Sequence, residues 1–445
     1  MTALEDSVAL MAIEDIGGAS VTKKPSAAFS SNLVPEEILN DEELNAAIQQ
    51  LPTNYNFEIH KTVWRLRRDK VKRVGMQFPE GLMMYACPIS DILERFCDVT
   101  CVILGDVTYG ACCIDDFSAM AAGCDFLLHY GHSCLVPIDV TGIITMYIFV
   151  DISVDVKHFI ETVRLNFPPQ SKLAFVGTVQ FLASLSMASK VLADEFQITV
   201  PQSRPLSPGE LLGCTAPRFV GLKNADDTVT SLDAMVYLAD GRFHLEAAMI
   251  ANPELPAFRY DPYAKSFTRE YYEVEEMHSY RKQAIERAKT ANHFGIILGT
   301  LGRQGSPKVV EKLKTSLTEA GKTFTVVLLS EIMPKKLAMF RHVDACVACP
   351  RLSIDWGYSF DKPLLTPYEL HVTLDQIAWQ AVYPMDFYAR GSLGPWTPNH
   401  VAAKDNQRTG KRPFVPPHLA RRKAAAAAAA AASATTPTTD PAASS

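Results

Sequence analysis

No run of about 18 apolar residues occurs in this 445-residue sequence, which argues against a membrane-spanning helix. The first residues, MTALEDSVALMAIEDIGG, are acidic and lack the basic start and apolar run of a secretory leader. Positive charge is not in excess either. Against 43 Lys and Arg stand 49 Asp and Glu, a net charge of −6, which disfavours a broad nucleic-acid-binding surface. Charged residues make up 21% and hydrophobic residues 48%, which excludes a wholly disordered chain, a collagen and a coiled coil. The expectation is a soluble cytoplasmic protein that neither enters membranes nor binds nucleic acid directly. In that compartment the ten cysteines should be thiols rather than disulfides. Paired C-x2-C sites, the mark of structural zinc, are also missing: only Cys346 and Cys349 have that spacing. The compact CxxxCxxC run that holds a cluster in ordinary radical enzymes is absent as well.

What is present divides into ends and middle. Residues 1–54 hold nine Asp and Glu but only two Lys and read as an acidic, mostly flexible arm. Within it, 35–52 predicts a short helix, with Ile38, Leu44, Ile48 and Leu51 on one face. Residues 401–445 turn basic, then run through nine alanines, Ala424–Ala432, and read as a disordered tail. Between them, continuous apolar runs predict buried parallel strands at 74–78, 101–105, 125–130, 144–150, 173–177, 235–239, 294–299, 324–329 and 343–348. Helical patterns lie between them, at 89–96, 115–122, 189–196 and 306–321. Such alternation predicts an α/β fold. The strands are too many for one comfortable sheet, so two or three smaller parallel sheets are expected, and the core is divided at 55–155, 156–290 and 291–400.

In such folds the chemistry sits at the carboxyl ends of strands. Cys112 lies past the strand CVILG, Cys214 in the Gly/Pro-rich loop LSPGELLGCTAPR, and Cys349 past VDACVA. One falls in each third of the core. Three such loops aimed at one point would give a triangle of thiolates, which suits an iron–sulfur cluster with one open iron better than it suits zinc. Cys346 reads as core, and Cys87, Cys97, Cys101, Cys124 and Cys134 as packing. Cys113 neighbours Cys112, and spacing does not say which of the pair points inward.

The segments GDVTYGACCIDDF, HYGHSCLVPID, GCTAPR, ADGRFHLEAAMIANP, GTLGRQG and ACPRLSIDWGYSF resemble the eukaryotic diphthamide-biosynthesis family, over about 50–395. The resemblance implies three similar α/β domains arranged around a central [4Fe–4S] cluster, with Cys112, Cys214 and Cys349 as its ligands. Cys112 rather than Cys113 is implied because archaeal relatives resemble YGAC followed by an acidic residue. The cysteine of GCTAPR matches subunit 1, the catalytic subunit, rather than its paralogue, subunit 2. The implied reaction moves the 3-amino-3-carboxypropyl group of S-adenosylmethionine to a histidine of elongation factor 2 by non-canonical radical chemistry. Implied partners are subunit 2, as a heterodimer, and a small reductase as electron donor. The alternative is an electron-relay or scaffold subunit of the same complex.

That substrate carries a carboxylate and an ammonium. A guanidinium fork suits the carboxylate, and Arg351, past Cys349, and Arg303, in GTLGRQG, are the candidates. Gln304 could donate to the same group. Arg242 and His244 follow a strand end, and Asp240 could take an ammonium or a ribose hydroxyl. Gln77 and Glu80, at the end of the first strand, could face the cavity. His129 and His132 read as support or core positions rather than zinc ligands.

Overall fold

The computed structural model of the chain describes residues 34–106, 110–133, 135–219, 231–348 and 350–400. Three sheets carry it. The first orders its strands Thr100–Ile103, Arg73–Gln77, Phe126–Tyr130 and Ile144–Ile148, all parallel. The third orders Thr323–Leu329, His293–Gly299, Ala345–Val347 and Leu364–Leu365, again all parallel. In the second, Gln197–Thr199, Lys172–Gly177, Ala234–Leu238 and Ala257–Asp261 are parallel, and Ser266–Glu270 adds an antiparallel edge. Numbered along the chain within each unit, all three sheets run second, first, third, fourth. The repeat makes the units similar, and each opens a crevice at the carboxyl ends of its first and third strands, where the strand order reverses.

The apolar runs form strands because both faces of each sheet are covered. Val74, Met76, Phe126 and Leu128 lie in one core; Leu173, Phe175, Val236 and Leu238 in a second; Phe294, Ile296, Ala345 and Val347 in a third. Helix starts follow local chemistry. Asp155 accepts a hydrogen bond from His158 N at 3.1 Å and caps Val156–Asn166. Thr366 and Glu369 form a capping box at the start of Pro367–Thr373.

Four features differ from the sequence expectation. The segment 35–52 forms two helices, Glu36–Leu39 and Glu42–Ile48, because Asp41 caps the second by accepting from Leu44 N. Ile38, Leu44 and Leu51 are buried in the first core, so this part of the acidic arm is folded onto the first unit. The helix expected at 189–196 is instead Leu182–Val191; Leu192 and Phe196 are buried from the turn that follows. The second sheet is mixed, not purely parallel. Cys87 is exposed rather than packed, because it lies off the face on which Ala86, Ile89 and Leu93 are buried. The tail at 401–445 and Cys134 lie outside the described residues.

Candidate functional site

The Cys112 loop follows the strand Thr100–Ile103 and re-enters the fold as a short turn, Ala111–Cys113. Gln77, at the end of the neighbouring strand, braces it. The Gln77 side-chain amide donates to the Cys113 carbonyl at 2.8 Å, and its oxygen accepts from Asp115 N at 3.1 Å. The same oxygen lies 2.9 Å from His129 Nδ1. Gln77 and His129 are both buried, so this amide is a fixed internal strut.

The Cys214 loop is pinned to the carboxyl end of the inner strand Lys172–Gly177. Gly177 N donates to the Gly209 carbonyl at 2.8 Å, and Leu211 N to the Gly177 carbonyl at 3.0 Å. Leu212 and Thr215 then exchange backbone hydrogen bonds around a tight turn that presents Cys214. Gly213 leaves room for the Phe243 ring, which a Cβ there would displace.

The two loops converge. Cys112, from the first unit, and Cys214, from the second, pack against the same small apolar cluster of Leu135, Leu206 and Leu212. Cys113 is 2% exposed, and its carbonyl is held by Gln77. Cys349 lies outside the described residues, between the strand Ala345–Val347 and the helix Pro350–Trp356. Among the described residues, no three His, Cys, Asp or Glu side chains group as a metal site requires. Elsewhere burial pushes the Cys97 thiol up to about 12 and the Cys101 and Cys346 thiols up to about 11. Those three thiols belong to the apolar packing.

Beside the thiols lies a cavity of about 390 Å³ between the first and second units. Leu212 belongs both to its wall and to the cysteine cluster. Its polar lining includes His132, Thr178, Glu210, Tyr237, Asp240 and His244. Thr178 Oγ1 and Tyr237 Oη are buried and have no hydrogen-bond partner among the described residues. Burial lowers His132 to about 4; it lowers His244 to about 4 as well, aided by the charges of His132 and Arg351. Both imidazoles are therefore neutral near pH 7. Burial also raises the Glu210 carboxyl.

The chain has counterparts among known proteins. The family model described as "Putative diphthamide synthesis protein" matches residues 78–384. The chain belongs to the diphthamide synthesis family. Relatives named 2-(3-amino-3-carboxypropyl)histidine synthase subunit 1 include one from Gallus gallus, 55% identical over 88% of this chain and 94% of its own length. Another, from Homo sapiens, is 53% identical over 88% of this chain and 87% of its own. The crystal structure of Dph2 from Pyrococcus horikoshii with a 4Fe-4S cluster superposes with TM-score 0.61 and 25% identity, covering 75% of this chain and 94% of that one.

The remaining candidates fall into four groups within the diphthamide synthesis fold. Asp240 and His244 line the cavity, and exposed Glu80 sits at its edge between the lining residues Pro79 and Gly81. Arg242 is on the surface, ion-paired to Glu246 and Glu270 and donating to the Tyr271 carbonyl. Gln304 folds over Gly299 and lines a separate, smaller cavity in the third unit. Gln77, Arg303 and Arg351 are bound to protein groups: Gln77 as above, Arg303 to Asp116, and Arg351 to Gly213, Phe243, Glu246 and Asp355. Glu210, Thr178 and Tyr237 escape the sequence reading. Thr178 directly follows the strand Lys172–Gly177, so the strand-end rule reaches it; Tyr237 lies inside a strand and gives no such signal.

Proposed function

We propose that this chain is the catalytic subunit that transfers the 3-amino-3-carboxypropyl group from S-adenosylmethionine to a histidine of elongation factor 2, the first step of diphthamide synthesis. The observation that supports it most is the convergence of Cys112 and Cys214, from two different units, on one apolar cluster at the cavity wall. Thiolates are the donors an iron–sulfur cluster takes, so Cys112, Cys214 and Cys349 fit that group and would hold it. A bound [4Fe–4S] cluster supplies an electron for breaking the sulfonium bond and, with three protein ligands, an open iron.

The chain's own residues do the rest. The size and mixed lining of the cavity suit a nucleoside-bearing sulfonium. Its buried hydroxyls at Thr178 and Tyr237 and the neutral imidazoles of His132 and His244 offer uncharged partners for ribose and base. Asp240, at the rim, offers a carboxylate to the substrate's ammonium. Fixed in this way, one of the three sulfonium bonds can be presented for cleavage, and positioning rather than intrinsic reactivity selects the bond. The protein works in the cytoplasm, paired with a paralogous subunit and fed electrons by a small reductase.

The test is anaerobic purification with the paralogous subunit, then incubation with reductant, S-adenosylmethionine and elongation factor 2. About four irons per chain and a gain of one 3-amino-3-carboxypropyl group on the elongation factor are expected. Cys112→Ser, Cys214→Ser and Cys349→Ser should each lose the iron, whereas Cys97→Ser should keep it. Full transfer by the Cys214→Ser variant would move catalysis to the partner and leave this chain an electron-relay or scaffold subunit.

A further inference from the structure

Two arginines of the third unit reach out to the loops that carry the other two units' cysteines. Arg303 lies past the strand His293–Gly299. Its Nε and Nη2 donate to the two carboxylate oxygens of Asp116, at 2.7 and 2.8 Å. Asp116 is fully buried and opens the helix just after the Cys112 loop. Arg303 N donates to the Ile114 carbonyl at 3.0 Å. Its neighbour Gly302, with φ +51°, lets the chains touch: a Cβ there would lie 2.6 Å from the Cys113 carbonyl oxygen and closer still to that of Ile114.

Arg351 makes the matching connection to the second unit. Its Nη1 donates to the carbonyl of Gly213, the residue before Cys214, at 3.1 Å, and to that of Phe243 at 3.0 Å. Its Nη2 lies 2.9 Å from Glu246 Oε2 and 3.0 Å from Asp355 Oδ2, and its Nε donates to Asp355 at 3.1 Å. The guanidinium also stacks 4.2 Å over the Phe243 ring. A guanidinium has five N–H donors, and here four hydrogen bonds to protein groups engage all three of its nitrogens. The fork is held by the protein itself rather than offered to a substrate carboxylate.

We propose that Arg303 and Arg351 are positioning residues, which tie the Cys112 and Cys214 loops to the third unit and set the spacing of the thiols before iron arrives. The proposal rests on the cluster reading above. Planar forks suit the task, because a bidentate pair fixes direction as well as distance. Lysine keeps the charge but not the fork, so it should restore the tie only in part. Both arginines belong to strand-end segments of the third unit, so that one unit would set the positions of the other two units' cysteine loops.

The test uses the full chain without iron, under argon. A short homobifunctional maleimide is added, and the Cys112–Cys214 product is located by fragment mass. The variants are Arg303→Lys, Asp116→Asn, the exchanged pair Arg303→Asp with Asp116→Arg, and Arg351→Lys, each with a melting curve. Linkage should slow by about tenfold in the single variants, with partial recovery in the exchanged pair, as expected for a fork rather than a point charge. In reconstituted protein, the single variants should lose iron to a ferrous chelator faster, by a similar factor, while S-adenosylmethionine affinity per loaded chain stays within about twofold. Unchanged linkage and iron retention would overturn the proposal. Normal iron retention with S-adenosylmethionine affinity lowered tenfold or more would instead make the forks a substrate clamp. Wild-type protein that takes up no iron would end the cluster reading alone, since the linkage rates would still judge the ties. Asp116→Asn could fail to fold; the two lysine variants, which keep both charges, then carry the test.

Discussion

Two histidines in the cavity wall give the protein a pH dependence that can be worked out from their surroundings. Burial lowers His132 to about 4, against a hydrogen bond to the Tyr130 backbone that raises it. His244 is lowered to about 4, by burial first and then by the charges of His132 and Arg351. In the unfolded chain each returns to its ordinary value of about 6.5. As pH falls from 6.5 toward 4, the unfolded chain therefore binds protons that the folded one refuses, and stability declines through that window. Above 6.5 their contribution is complete. For His132 the full loss is on the order of 3 kcal/mol. Denaturation midpoints measured from pH 7.5 to 4.5 should fall steadily, and His132→Gln should flatten the curve. Fully buried His129, also lowered by burial, retains its share of the slope in that variant. A variant curve parallel to the wild type would place His132 in contact with water.

At the scale of elements, the helix Glu42–Ile48 belongs to the first unit despite its acidic, arm-like sequence. Leu44 is completely buried there, packed among the residues of the first core, and Arg95 pairs with Glu43 from the helix beneath. Leu44→Ala should cost about 2–5 kcal/mol, measured by urea denaturation; a loss below about 0.5 kcal/mol would mean that the helix is only loosely attached. The case shows what sequence pattern can and cannot deliver. Continuous apolar runs locate the central strands, because burial on both faces leaves no choice of residue. The strands Ala257–Asp261 and Ser266–Glu270 interleave charge with aromatics at a sheet edge, and Gln197–Thr199 and Leu364–Leu365 are too short to carry a pattern. The acidic stretch 36–43 looks solvated because its charges face out, while three separated apolar residues do the docking.

At the scale of the whole molecule, Cys112 and Cys214 are legible as loop residues of successive units, but the supports of their loops are not. Asp116 and Arg303 are 187 residues apart, and Gly213 and Arg351 are 138 apart. Nothing local marks either as a pair, which is why a free fork for the substrate is the natural reading of both arginines. This long-range architecture has a thermodynamic consequence. On the proposed cluster, a group bound by one thiol from each of three units binds the assembled chain and not its separated parts, so iron should stabilise the assembly by mass action. Arg303 and Arg351 already hold the units together without it, so the iron-free chain should still fold, but with a lower melting temperature. Calorimetry under argon, before and after chelation, should show one transition at higher temperature in the loaded protein. For a chain of this size a stabilisation of about 1–3 kcal/mol corresponds to a shift of about 1–4 degrees. Cys214→Ser should melt near the chelated wild type and respond to neither iron nor chelator. Hydrogen exchange should locate the added protection in the Cys112 and Cys214 loops and at the third unit's contact with Asp116, in all three units at once. Protection confined to one unit would mean that the iron is held by that unit alone, and the three-cornered arrangement would have to be abandoned.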